Sequence, residues 1–163
     1  MSRKLAHSFE LDEDRAKELA SRGRAILAVS AGIHATEVAG TQMLIELVYE
    51  LATREDLRTI EVLENIILVV LPCLNPDRQI MVVDWYYKCL GTEYKGSPPP
   101  WLYHKYCGHD NDRDAFMLTQ PESRYIARII YGEFIPHSSI HRSSLDGLHY
   151  GQVLPIPRDC CSA

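Results

Sequence analysis

A histidine and a carboxylate stand three positions apart at His34-Ala35-Thr36-Glu37, just after an apolar run and a glycine. Where a strand gives way to a helix, a turn can aim both side chains at one point. A nitrogen donor beside an oxygen donor suits a borderline-soft divalent metal, zinc above all; the plainer alternative is a solvent-facing histidine and a glutamate favoured in a first helical turn. Two more polar clusters follow, Asn75-Pro76-Asp77 and Gly108-His109-Asp110-Asn111-Asp112-Arg113-Asp114. The first is a good turn sequence. The second offers Arg113, whose planar fork can grip a carboxylate, among aspartates that could equally hold it in a surface ion pair. His137, His141 and His149 come last, as nitrogen donors or as exposed polar groups.

The elements that must position these residues are legible in the apolar spacing. Asp12 to Arg22 reads as a short amphipathic helix, and Arg24 to Ser30 as a buried strand ending in a glycine turn at Gly32. Helical spacing of Val38, Met43, Leu44, Leu47, Val48 and Leu51 predicts a helix over Thr36–Thr53 with Thr36 as N-cap. Ile66 to Leu71 is a continuous aliphatic run stopped by Pro72, which predicts an interior strand. Together these form a βαβ unit, so the loops 32–37 and 73–78 should open at the carboxyl ends of parallel strands and face one site. Residues 91–108, rich in Gly, Pro and aromatic side chains, read as a long functional loop. A second helix is predicted from Pro121 to about Tyr131.

In this order, Gly32-Ile33-His34-Ala35-Thr36-Glu37, Leu74-Asn75-Pro76-Asp77 and Asn111-Asp112-Arg113 resemble the carboxypeptidase A-type zinc metallocarboxypeptidases, particularly their large bacterial members. The resemblance runs from about Asp12 to Phe134. It implies an α/β/α layered fold on a mixed sheet of the zinc-exopeptidase type, here truncated, and removal of C-terminal residues from peptides. It further implies one zinc per chain held by His34, Glu37 and a strand-end histidine, for which Ile140-His141 is the best match. Water activated by the metal would attack the scissile carbonyl, with a separate glutamate as general base. Arg113, with Asp112, would receive the substrate's terminal carboxylate.

The departures from the family pattern are specific. Asp112 puts a carboxylate where the family has an asparagine, which repels an incoming carboxylate unless it is neutralised or turned away. Near Trp85 only Lys88 answers the family's oxyanion arginine, and Arg78 stands where a glycine is usual, a strain if φ there is positive. The family's general base lies far beyond the third histidine, and the sequence has no glutamate after Glu133. The chain therefore reads as residues 1–163 of a partial catalytic domain, with residues 1–11 flexible and a tail from Ser138 without a core pattern. That tail is open to being an out-of-frame translation of the third-ligand region, in which case His141 is a coincidence. Two other readings stay open: an amidohydrolase of the aspartoacylase and succinylglutamate desuccinylase type, and a non-catalytic zinc- or peptide-binding remnant.

Composition bounds the partners. A net charge of −5 without a basic run argues against nucleic acid. No apolar stretch is long enough to span a bilayer, and the basic start lacks the apolar segment of a signal peptide, leaving the compartment open. The 5 cysteines show no paired spacing and read as free thiols.

Overall fold

The computed structural model of the chain describes residues 2–7, 9, 11–100 and 107–142. Helices α1 (Ser2–Ala6) and α2 (Glu13–Ser21) precede strand β1 (Ala25–Ala31); α3 (Val38–Thr53) and α4 (Leu57–Asn65) then lead into β2 (Ile66–Leu71). Helix α5 (Pro76–Cys89) follows. A 3-10 turn (Asn111–Asp114), α6 (Pro121–Ala127) and a π-helical stretch (Arg128–Phe134) bring the chain to β3 (Ser138–Arg142).

The strands form one parallel sheet in the order β2-β1-β3. Strand β1 is central, and Ile26, Ala28, Val29 and Ala31 are buried along it, as expected for a strand covered on both faces. Leu44 of α3 is fully buried against Val29 and Ala31, with Leu27, Met43, Leu47, Leu68 and Val70 around them. The fold is α/β, and the predicted βαβ unit is present with β1 and β2 in the register Ala25↔Ile66 to Ser30↔Leu71.

Three local readings need correction. Helix α3 starts one residue later than predicted, with Glu37 rather than Thr36 at its N-cap and no side-chain cap bond, because Glu37 is turned into the interior. Asn75-Pro76-Asp77 is not only a turn: Asn75 caps α5 by accepting from the Arg78 amide at 3.3 Å, and Pro76 takes the first helical position. Arg78 consequently sits in a helix, and the positive φ that would have strained it does not arise.

The glycine turn after β1 is required by sterics. Gly32 has φ +69°, and a Cβ there would lie 2.6 Å from Thr41 Oγ1 and 3.2 Å from Cys73 Sγ. Beyond α6, Ile135 adopts the left-handed conformation at φ 47°, which ends the π-helical stretch and turns the chain towards the sheet. His137 then begins the pairing: its amide donates to Ile26 O at 2.8 Å, and its Nδ1 accepts from Ile26 N at 3.0 Å. Ser138 to Arg142 continue beside β1 in the register Leu27↔Ser138 to Ala31↔Arg142; residues 143–163, including His149, lie outside the described residues.

Candidate metal centre

The loops after β1 and β2 meet, as strand polarity demands. Leu74 N and Asn75 N donate to Ala31 O and Gly32 O, each at 3.0 Å, and Asn75 Nδ2 donates to Ile33 O at 3.3 Å. The turn that carries His34 and Glu37 is thus fixed by backbone bonds from the neighbouring loop. Glu37 is 3% exposed, which no carboxylate tolerates without a compensating partner.

The His34 ring lies between two carboxylates. Its Nδ1 is 3.3 Å from Glu37 Oε1 and its Nε2 is 3.1 Å from Asp110 Oδ1. Burial alone would lower the histidine's pKa, but the hydrogen bond and charge of Asp110 and the charge of Glu37 outweigh it and hold the pKa above its usual value. For Asp110, burial would raise the pKa, yet the Asp112 amide at 2.9 Å and the His34 ring keep the carboxyl below the ordinary range. The sequence alone offers Asp110 only as an ion-pair partner of Arg113. The arrangement makes it the group that orients His34: a carboxylate on Nε2 fixes the ring and leaves Nδ1 towards Glu37, as the outer carboxylate of a metal-binding histidine does.

His141 arrives from the other side. Strand register sets it opposite Ser30, at the carboxyl end of β1, and Ser30 Oγ is 3.0 Å from its Nδ1. Burial lowers its pKa, and the nearby charges of Glu37 and Asp112 offset this only in part. Burial thus favours the neutral ring, and its buried Nε2 has no hydrogen-bond partner among the described residues. If Nδ1–H donates to Ser30, that Nε2 presents a lone pair.

These residues fit a zinc ion in donor chemistry and in part in geometry. Two ligands of a tetrahedral zinc with bonds of 2.0–2.1 Å stand about 3.3–3.4 Å apart. His34 Nδ1 and Glu37 Oε1 are 3.3 Å apart. The Nε2 of His141, without a partner among the described residues, is the atom type that completes such a set. Its third corner is not closed, however: among the described residues no three His, Cys, Asp or Glu side chains are gathered tightly enough to hold an ion.

Residues 8–87 match the family model described as zinc carboxypeptidase. Over these residues the chain is similar to the zinc carboxypeptidase family, a match that covers just under half of its length. No curated protein and no solved structure matches the chain. His34, Glu37 and the Asn75 turn fall within the zinc carboxypeptidase match; Asp110, Asp112, Arg113 and His141 fall beyond it.

The remaining site residues are less tightly placed. The Arg113 side chain is 72% exposed, with Nη1 3.8 Å from Asp112 Oδ2 and 3.9 Å from Asp110 Oδ2, distances typical of a loose surface ion pair. Asp112 thus has its carboxylate directed to Arg113. Lys88 stacks over Trp85 at 5.9 Å from the ring centroid. It lies in the last turn of α5, about 18 Å along the helix from Pro76 at the site end. A lysine there does not substitute for an oxyanion arginine. Of the long loop, residues 101–106 lie outside the described residues. Cys73, Cys89 and Cys107 are free thiols, and no described helix is long and apolar enough to cross a membrane.

Proposed function

We propose that the chain carries the metal-binding and carboxylate-binding parts of a metallocarboxypeptidase that removes C-terminal residues from peptides, with one zinc held by His34, Glu37 and His141. The observation that carries this reading is the 3.3 Å pairing of His34 Nδ1 with a buried Glu37, with Asp110 on the opposite ring nitrogen. When bound, zinc supplies Lewis-acid polarisation of the scissile carbonyl and a more acidic water. The protein's own part is to hold that centre: Asp110 orients His34, Ser30 orients His141, and Arg113 receives the substrate carboxylate. Asp112 is partly neutralised by Arg113 and weakens that capture relative to an amide donor.

Deprotonating the water needs a base. The sequence has no glutamate after Glu133, and Glu133 is paired on the surface with Arg128 at 2.7 Å. Glu122 stands in the first turn of α6 without capping it, and its buried Oε2 has no hydrogen-bond partner among the described residues. Without a base among these residues, binding is favoured over efficient turnover, since a general base is worth about two to four orders of magnitude in rate. Metal analysis of the purified chain should return one zinc, and peptide hydrolysis should stay near background. The His34→Ala/Glu37→Ala double variant should lose the zinc; unchanged metal content, or chelator-sensitive turnover by the parent chain, would overturn the assignment.

A further inference from the structure

Asp114 is fully buried, as is Leu44 of the apolar core. A buried carboxylate is retained only if its oxygens are well supplied with donors. This one is. Oδ1 accepts from Thr119 N at 3.0 Å and from the Thr119 hydroxyl, and Oδ2 accepts from Gln120 N at 2.9 Å. The Ser123 hydroxyl also bonds to it. Its backbone carbonyl takes Met117 N at 3.1 Å and Leu118 N at 2.8 Å, closing a turn in which Leu118 is held at φ 54°.

The position of this hub in the chain gives it a consequence. Immediately before it runs the 3-10 turn with Arg113 and, at its cap, Asp110, whose Oδ1 meets both Asp112 N and His34. Immediately after it begins α6, which leads through the π-helical stretch to β3 and His141. We propose that Asp114 is a positioning residue: its carboxylate clamps the Asp110–Arg113 turn to the start of α6, and so sets Arg113 to receive a peptide's terminal carboxylate. The inference rests on the carboxylate-binding role assigned to Arg113 above.

The test compares a short peptide bearing a free C-terminal carboxylate with the same peptide amidated, each titrated into the zinc-loaded full chain. The parent chain should prefer the carboxylate. Asp114→Asn replaces an acceptor by a donor facing backbone N–H groups, and should reduce that preference about tenfold. Thr119→Val, which removes one hydroxyl and keeps the backbone bonds, should reduce it by a smaller factor while leaving the fold intact. Affinity for the amidated peptide should move little, a split that simple loss of stability does not produce. A parent chain that fails to distinguish carboxylate from amide would defeat the role of Arg113 itself. A parent chain that distinguishes them, with folded Asp114→Asn and Thr119→Val variants that do so equally well, would defeat the positioning role alone.

Discussion

The two halves of the candidate site are held in different ways. His34 and Glu37 belong to a βαβ unit fixed by strand pairing and by an apolar core of Val29, Ala31 and Leu44. The segment from Asp110 to Ser123 is organised around a carboxylate, Asp114, and reaches the first half through the polar contact of Asp110 with His34. Apolar packing is insensitive to pH and spread over many contacts; a buried carboxylate hub is concentrated and titratable. The first half should therefore set the stability of the domain, and the second half should set its acid sensitivity and ligand geometry.

The largest effect expected from this contrast is in the core. Leu44→Ala removes a fully buried side chain from the contact between α3 and β1, and should cost about 2–5 kcal/mol in denaturant unfolding. Asp114→Ala should cost less, about 1–3 kcal/mol, because only the donors it leaves behind are affected. A reversed order of the two would break the comparison.

Acid sharpens it. Burial would raise the Asp114 pKa, but its bonds from Ser123, Thr119 and Gln120 hold the carboxyl far below its usual value. A depressed folded-state pKa contributes stability that is complete above the unfolded value near 4 and is lost as pH falls through the folded one. Amide protection at Thr119 and Gln120 should thus fall below about pH 4 while protection along β1 and β2 persists. Asp114→Asn should remove this pH dependence; a uniform loss across both halves would show that the hub is not separately titratable.

The sequence made the first half readable because its signals are local. Aliphatic runs mark β1 and β2, helical spacing marks α3, and a single glycine marks the turn between them. The second half depended on contacts between residues distant in the chain. Asp110 lies 76 positions from His34, and nothing in its neighbourhood distinguishes it from Asp112 or Asp114. Helix α4 is short, 9 residues, and runs directly into β2, so its apolar Leu57, Ile60 and Leu63 do not stand apart from the aliphatic run that follows. Helix α5 was masked by its own cap, since Asn75-Pro76-Asp77 has the composition of a turn and also that of a helix start. His141 could be picked from its strand-like neighbours, but its register opposite Ser30 could not.

The claim that joins both halves is that His141 completes the set begun by His34 and Glu37, and zinc affinity in a single variant tests it most directly. Competition titration against a chromophoric chelator should give one tight zinc per parent chain. His141→Ala should weaken it by about a hundredfold or more, beyond the loss usual for an outer-sphere partner. A folded His141→Ala chain, with β1 amides still protected and zinc affinity unchanged, would contradict the account and leave His141 a buried histidine with an unpaired nitrogen.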